Sequence, residues 1–239
     1  MEPSSSSELE AVIERLQTGC RSLDRLLGGG FEAGAVSQIY GEPGSGKTNI
    51  CIQLVVECVK RGRKAVYIDT EGLSPERFKQ IAGEDYRKIA REVMIFEPVN
   101  FLEQQSAIED LKKLGGNIGL VVLDSATMFY RLELDDERGQ MLRRQLGSQM
   151  ITLLELARKD DLAVVVTNQV YTDIDNDRLC PIGGLIFEYA SKTVLELEKI
   201  GGGKRRAIIR KHRSLPEGES CEFMLKADGV RDLEGIQFE

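Results

Sequence analysis

Apolar runs recur along the first two thirds of the chain, and segments with helical periodicity separate them. The runs are continuously apolar and do not alternate with polar residues, which is typical of strands buried on both faces of a parallel sheet. They lie at 35–40, 64–69, 93–99, 118–124 and 162–169. The longest helical pattern covers 137–159. The pattern predicts an α/β fold with a mostly parallel central sheet and helices on both faces.

The pattern changes after about residue 190, where consecutive strands are predicted. They lie at 192–200, 204–212 and 220–229. The glycines Gly201–Gly203 join the first two of these strands as a turn. We therefore expect an antiparallel extension at the C-terminal end of the sheet.

The N-terminal residues differ from the rest of the chain. Residues 1–7 are rich in serine, which favours a flexible segment, and residues 8–17 have the pattern of a short amphipathic helix. Ser22 is expected to cap a second short helix. The sequence predicts a flexible extension with a short helix over residues 1–15 and one core domain over residues 16–239.

Composition and charge narrow the function classes. Apolar residues make up 41% of the chain and charged residues 30%, as in ordinary soluble domains. No apolar stretch is long enough to span a membrane, and the N-terminus lacks the pattern of a secretory signal. Five scattered cysteines and one histidine argue against a zinc site or a disulfide framework. We expect a cytoplasmic protein without a membrane partner.

The net charge of −7 excludes a protein that coats nucleic acid through overall positive charge. Any contact with DNA must then come from local basic patches and must be sensitive to salt.

The segment Gly41–Thr48, GEPGSGKT, matches the spacing G-x-x-x-x-G-K-[ST] at every fixed position. In such a loop between strand and helix, backbone N–H groups surround phosphate oxygens at a helix N-terminus. Lys47 is expected to neutralise the β- and γ-phosphates of a nucleotide, and the Thr48 hydroxyl is expected to join the shell of Mg²⁺. The loop residues predicted to bind ATP are Gly41, Glu42, Pro43, Gly44, Ser45, Gly46, Lys47, Thr48 and Asn49.

Acidic residues follow two other apolar runs. Asp124 ends the run LVVLD, which is where a phosphate-binding loop needs a carboxylate for Mg²⁺. Asp69 and Glu71 follow the second run, at the sheet edge where open α/β sheets bind ligands. Glu71 lies beyond the strand end, and we expect it to be the general base that activates water.

Asn168 and Gln169 follow the fifth apolar run, where packing explains a polar pair poorly. Gln169 is expected to act in catalysis by contacting the γ-phosphate. It would report the presence of that phosphate to the next segment, which we predict to be a mobile switch loop.

The succession of GEPGSGKT, YIDTEG, SPER, LVVLDSATMFYR, TNQV and PIGG resembles the core of the RecA/RadA/Rad51 recombinases over about residues 16–235. The chain is similar to the archaeal paralogues that consist of the ATPase core alone. It is too short for the helical N-terminal DNA-binding domain of RadA. It also shows no aromatic-x-x-Ala polymerisation motif in its N-terminal extension, so filament formation of the RadA kind is not expected.

The resemblance implies roles for residues that match the family's motifs. Lys47 and Thr48 match the Walker A residues, Asp124 matches the Walker B aspartate, and Glu71 and Gln169 match the catalytic glutamate and the switch glutamine. Arg77 matches the arginine that packs on the adenine, and we add it to the ATP-binding residues.

The resemblance also places two DNA-binding loops. The first follows DSATMFYR, with Tyr130 and Arg131 at its mouth. The second covers 171–183 and contains Arg178, but it is short and acidic, which argues against strand exchange. On the long helix, Arg143 and Arg144 form a further basic patch that could contact DNA phosphates.

A subunit interface is implied near the C-terminus. The spacing of Lys211 and Arg213 puts both on one face of a strand, from which the family's cations reach the γ-phosphate of a neighbouring subunit. Pro216 is expected to cover that neighbour's nucleotide. A solvated basic strand end explains Lys211 and Arg213 equally well.

These observations favour a recombination and repair accessory protein that binds ATP and Mg²⁺, binds single- or double-stranded DNA and modulates a RadA-type recombinase. Its ATPase activity would be weak or dependent on DNA, and a homo-oligomer is possible. One alternative is a nucleotide-gated module that binds a protein and not DNA. Another is a single-domain relative of the KaiC clock ATPase.

Overall fold

Parallel strands form the centre of the main sheet, and antiparallel strands extend it on one side. The computed structural model describes residues 13–134, 137–173 and 178–234. Within these residues the main sheet has nine strands, and two further pairs of strands lie outside it. In chain order the strands are β1 Arg15–Leu16, β2 Phe31–Glu32, β3 Ala35–Gly41, β4 Lys64–Asp69, β5 Val93–Phe96, β6 Ile118–Asp124, β7 Ala163–Asn168, β8 Val170–Asp173, β9 Arg178–Pro181, β10 Thr193–Gly201, β11 Lys204–Lys211, β12 Ser220–Lys226 and β13 Gly229–Asp232.

Helices connect the parallel strands and cover both faces of the sheet. They are α1 Arg21–Leu26, α2 Lys47–Lys60, α3 Pro75–Ala82, α4 Tyr86–Arg91, α5 Phe101–Asp110, α6 Met128–Glu133, α7 Gly139–Asp160 and α8 Leu185–Ala190. Short 3₁₀ helices lie at Gly83–Asp85 and Leu111–Lys113. In the described part of the chain, no helix is both long and apolar enough to cross a membrane.

The strand order of the main sheet is β13-β12-β11-β10-β3-β7-β6-β4-β5. The six strands from β10 to β5 run parallel, and β10 continues through antiparallel ladders to β11, β12 and β13. Both parts of the predicted fold class, the mostly parallel centre and the antiparallel C-terminal extension, are confirmed.

The central strands bury side chains on both faces, which explains their continuously apolar sequences. On β6, Leu120 and Val122 join the core beneath α2, while Val121 and Leu123 join the core beneath α7. Because the strands run parallel, the carboxyl ends of β3, β4, β6 and β7 meet at one edge of the sheet. That edge carries the polar residues singled out in the sequence.

Several local predictions were wrong. The run at 93–99 is a strand only to Phe96. Cys20, not Ser22, occupies the N-cap position of α1, because Ser22 lies inside that helix and bonds to Asp232. The helix expected over 8–17 falls partly on residues outside the described part of the chain. Its described end forms β1, which pairs with β2.

The predicted loop at 171–183 is partly regular. Val170–Asp173 and Arg178–Pro181 pair as an antiparallel ladder, with Tyr171 opposite Cys180. The segment is therefore a hairpin with defined arms, and residues 174–177 between these arms lie outside the described part of the chain.

Candidate functional site

The loop Gly41–Thr48 connects β3 to α2 at the carboxyl edge of the sheet. Gly44 and Gly46 adopt φ angles of +76° and +109°, which glycine reaches without strain. Gly46 is the N-cap of the 14-residue helix α2 and, having no side chain, does not cap its first turn. Such an uncapped helix N-terminus behind a glycine-rich turn is a site for an anion.

Gly41 is required where the chain enters the loop. A Cβ at this position would lie 2.3 Å from the Leu197 carbonyl oxygen of β10 and 2.9 Å from Ser45 Oγ. The side-chain oxygen of Ser45 is buried and has no hydrogen-bond partner among the described residues. The loop thus packs tightly on β10 and contains a polar atom suited to a polar ligand.

Lys47 is directed into this loop. Its Nζ donates hydrogen bonds to the carbonyl oxygens of Gly41 at 2.8 Å and Glu42 at 3.1 Å. Burial lowers the pKa of the Lys47 ammonium, while the carboxylates of Glu71 and Asp124 oppose that shift. The lysine therefore lies among the predicted ATP-binding residues and close to both predicted acidic partners.

Asp124 ends β6 and is 3% exposed. Its carboxylate accepts hydrogen bonds from the Tyr67 hydroxyl at 2.6 Å and from the Thr167 hydroxyl, and the Thr48 hydroxyl lies nearby. Burial raises the pKa of Asp124, although these hydrogen bonds counteract the shift. A carboxylate beside a threonine hydroxyl supplies the oxygen ligands that Mg²⁺ prefers, so the residues fit a magnesium site.

Glu71, Gln169 and Arg131 form a hydrogen-bonded row. Glu71 Oε1 accepts from Gln169 Nε2 at 2.8 Å, and Gln169 Oε1 accepts from Arg131 Nη1 at 3.5 Å. The row runs from the predicted general base to the predicted first DNA-binding loop. Asp69, the last residue of β4, accepts hydrogen bonds from the backbone N–H groups of Glu71 and Gly72 and so shapes the turn that carries Glu71.

Asn168 ties the carboxyl end of β7 to two other segments. Its side chain is buried, accepts from the Thr127 hydroxyl at 2.6 Å and donates to the Ile182 carbonyl at 2.6 Å. The polar pair Asn168–Gln169 therefore has distinct contacts. Asn168 anchors the chain, and Gln169 reaches the Glu71 carboxylate.

Arg77 lies in the first turn of α3 and links the first turn of α2 to the C-terminal extension. Its Nε donates to Asn49 Oδ1 at 2.6 Å, and its Nη atoms donate to the carbonyls of Ala227 and Lys226. Partial burial lowers the pKa of Arg77. Contact with an adenine remains a prediction, but Arg77 does lie next to the predicted ATP-binding residue Asn49.

The predicted DNA-binding residues fall into different environments. Arg131 and Arg143 line one groove of about 510 Å³ with Tyr171 and Leu185, whereas Arg144 is exposed outside that lining. Tyr130 also lines this groove, but it is 3% exposed and its ring centroid lies 6.1 Å from that of Phe101, so most of its side chain belongs to the core. Arg178 begins β9, and nothing is described of its side chain.

The predicted interface cations have partners within the chain. Lys211 ends β11, and its Nζ donates to the Glu188 carbonyl of α8. Arg213 lies 2.8 Å from the carboxylate of buried Glu32. The expectation that a strand places Lys211 and Arg213 on one face was wrong, because β11 ends at Lys211. The next residue, His212, accepts hydrogen bonds at Nδ1 from backbone N–H groups of the following turn. Pro216 is exposed in that region.

The sequence alone missed contacts that come from distant strands. Tyr67 and Thr167 hold the Asp124 carboxylate, and their only signal is their position near strand ends. Lys199 and Arg205 contact the carbonyls of Pro43 and Gly44, and nothing in the local sequence indicates that their hairpin reaches the loop.

The sheet order, the glycine loop before α2 and the buried Asp124 define a P-loop nucleotide-binding protein of the RecA type. The chain belongs to the Rad51 family, since the family model described as Rad51 matches residues 10–233. This match supports the recombinase side over the KaiC alternative.

The chain is also similar to archaeal proteins named DNA repair and recombination protein RadB. The relative from Methanococcoides burtonii is 57% identical over 225 residues, which cover 93% of this chain and 100% of the relative. The relative from Methanoculleus marisnigri is 47% identical over 224 residues, 92% of this chain and 99% of the relative. Among solved structures, one described as the crystal structure of the RadB recombinase has a TM-score of 0.80 and 36% identity, covering 92% of this chain and 100% of that chain.

Proposed function

We propose that this chain is a RadB-like accessory protein of DNA repair and recombination, which binds ATP with Mg²⁺ and couples that binding to contact with DNA. The observation that carries the proposal is the row Glu71–Gln169–Arg131. It starts beside the nucleotide loop and ends in the groove lined by Arg131 and Arg143. The names of the RadB relatives support a role in repair and recombination.

Nucleotide binding follows from the loop and its neighbours. Lys47 and the backbone N–H groups at the start of α2 would bind the phosphates, and Ser45 would add a hydroxyl. Thr48 and Asp124 would hold Mg²⁺, which neutralises charge on the β- and γ-phosphates. Glu71 would orient and deprotonate the attacking water, at a position where its carboxylate is held by Gln169.

Hydrolysis is expected to be slow in the isolated chain. Cations that act from a neighbouring subunit accelerate phosphoryl transfer by about 10³–10⁵. Here the two candidates, Lys211 and Arg213, are engaged with Glu188 and Glu32 of their own chain. A homo-oligomer or a RadA-type partner would have to displace these contacts before either cation could act in trans.

The second candidate function is a nucleotide-gated module that binds a protein. Leu185 and Tyr189 of α8 are 62% and 75% exposed, beside the segment that Gln169 joins. Exposed apolar side chains of this size suit a protein surface better than a phosphate backbone. In that case Gln169 would control a protein contact, and no DNA would bind.

Lys47→Ala tests the nucleotide site. Loss of the buried ammonium should weaken binding of a fluorescent ATP analogue with Mg²⁺ by at least about tenfold. Lys60→Ala is the matched control, because Lys60 lies at the other end of α2 and is 54% exposed. Thermal melting checks that both variants fold. An unchanged affinity for the analogue in folded Lys47→Ala would reject the proposed site.

A further inference from the structure

The hairpin of β10 and β11 reaches the outer side of the phosphate-binding loop. Lys199 Nζ donates to the Pro43 carbonyl at 3.2 Å and lies 3.4 Å from the Glu42 carboxylate. Arg205 donates to the Gly44 carbonyl from Nη2 at 2.9 Å and from Nε at 3.2 Å. Lys199 and Arg205 are register partners across the hairpin, so two cations contact two successive loop carbonyls.

These contacts determine where the loop's N–H groups point. In a trans peptide the C=O and the following N–H point in opposite directions. Holding the carbonyls of Pro43 and Gly44 toward the hairpin therefore directs the N–H groups of Gly44 and Ser45 away from it. The Ser45 N–H donates to the Glu42 carbonyl at 3.1 Å, and Lys47 Nζ donates to the same oxygen at 3.1 Å.

The Ser45 N–H and the Lys47 ammonium thus converge on one acceptor position. A phosphate oxygen that displaced the Glu42 carbonyl oxygen would receive both donors, and the cations behind the loop would polarise the peptide groups of the loop. Lys199 is close enough that its charge contributes, as a minor cause, to the lowered pKa of Lys47. The C-terminal extension supports this arrangement, since Leu225 of β12 lies 3.2 Å from the position of a Cβ on Gly46.

We propose that Lys199 and Arg205 are positioning residues for polyphosphate, which orient the N–H groups of Gly44 and Ser45 by binding the carbonyls behind them. The inference rests on the proposed nucleotide site and assigns part of its affinity to the C-terminal extension. It concerns the phosphates alone, so affinity for adenosine is not expected to depend on Arg205.

The test compares Arg205→Met with Arg206→Met. Arg206 is the next residue on the same strand, but it forms ion pairs with Glu198 and Glu222 on the hairpin and the neighbouring strand. Each variant removes one positive charge and keeps an unbranched stem, so an effect of overall charge would be the same in both. Arg205→Lys keeps the charge and offers a single donor group, so it tests for partial rescue.

The readouts are the dissociation constants for inorganic tripolyphosphate, ATP with Mg²⁺ and adenosine, measured by titration calorimetry at one ionic strength. We expect Arg205→Met to weaken tripolyphosphate and ATP binding by about three- to tenfold and Arg206→Met by less than about twofold. Arg205→Lys should fall between wild type and Arg205→Met. If Arg205→Met does not fold, the comparison of Arg205→Lys with Arg206→Met replaces it. We then expect Arg205→Lys to bind tripolyphosphate more weakly than Arg206→Met.

Equal losses in Arg205→Met and Arg206→Met, or no loss in the folded Arg205 variants, would overturn the inference. A loss of adenosine affinity in parallel with tripolyphosphate would also overturn it, because that result indicates a general structural defect. Lys47→Ala distinguishes a failure of the proposed nucleotide site from a failure of the positioning role of Lys199 and Arg205. If it leaves tripolyphosphate affinity unchanged, the proposed nucleotide site fails, whereas a loss only in Lys47→Ala rejects the positioning role and leaves the site intact.

Discussion

Individual side chains at the carboxyl edge of the sheet have separable tasks. Lys47 and Asp124 are buried, and each is held by several hydrogen bonds. Glu71 is exposed, and its hydrogen bond with Gln169 lies at the surface, where water can compete for it. Buried groups with fixed partners suit binding of phosphate and metal, while an exposed carboxylate suits proton transfer from water.

Glu71→Gln should separate binding from turnover. The amide keeps the size of the side chain but cannot accept the proton of water, so the ATPase rate should fall by at least about 100-fold. Affinity for ATP should stay within about twofold. Phosphate release and binding of a fluorescent ATP analogue measure the two properties.

Glu76→Gln is the control for this change, because Glu76 is an exposed acid in the first turn of α3. It should leave the ATPase rate near that of the wild type. Equal turnover in Glu71→Gln and wild type would remove Glu71 from the mechanism.

Among the secondary structure elements, α1 is held by a residue from the far end of the chain. Asp232 of β13 accepts hydrogen bonds from Ser22 N at 2.7 Å, Ser22 Oγ at 2.6 Å and Arg21 N at 3.2 Å. The carboxylate thus caps the N-terminus of a six-residue helix that has no side-chain cap of its own. This contact fixes the C-terminal extension against the start of the core domain.

Asp232→Asn should lower the free energy of unfolding by about 1 kcal/mol at neutral pH. Burial opposes ionisation of Asp232, but the hydrogen bonds from Ser22, Cys20 and Arg21 outweigh burial and hold its pKa below the ordinary value of 3.8. A carboxylate whose pKa is lowered by folding stabilises the fold above its unfolded pKa. That contribution is lost as the pH falls through the folded pKa.

The difference between wild type and Asp232→Asn should therefore be largest near neutral pH and shrink below about pH 4. Urea denaturation at a series of pH values measures it. Asp228→Asn is the control, because Asp228 is an exposed partner of Arg231 on the same turn and should have little effect at any pH. A stability difference for Asp232→Asn that does not depend on pH would show that the charge of the Asp232 carboxylate does not stabilise α1.

The sequence predicted the long elements well and the short ones poorly. The strands β4 and β6 match the predicted bounds. Both of their faces are buried, so each strand is visible in the sequence as a continuous apolar run. The strand β1 could not be predicted, because a segment of two residues depends on its pairing with β2 and on the ion pair of Arg15 with Glu32. Such contacts join positions that no local pattern relates.

Contacts between distant positions also limit what the sequence predicts about the site. The loop Gly41–Thr48, Glu71 and Asp124 were predicted because each follows an apolar run, and parallel strands bring their carboxyl ends together. The intrachain partners of Lys211 and Arg213 were not predicted, since Glu32 and Glu188 approach them only through the fold. Their role in trans stays a prediction.

At the scale of the whole molecule, the chain divides its tasks between two parts of one sheet. The parallel strands present the groups that would meet nucleotide and metal, and the antiparallel extension contacts the loop from behind through Lys199 and Arg205. With a net charge of −7, the molecule has no general attraction for nucleic acid. The proposed DNA contact would therefore depend on the local groove of Arg131 and Arg143.

We infer that nucleotide bound at Gly41–Thr48 controls DNA contact through Gln169. The most direct test is binding of a labelled single-stranded oligonucleotide, with and without ATP and Mg²⁺, across a salt series. We predict binding that weakens as salt rises, is tighter with ATP, and in Gln169→Ala keeps its salt dependence but no longer responds to ATP. Absence of binding at every salt concentration, or wild-type binding that is the same with and without ATP, would contradict the claim.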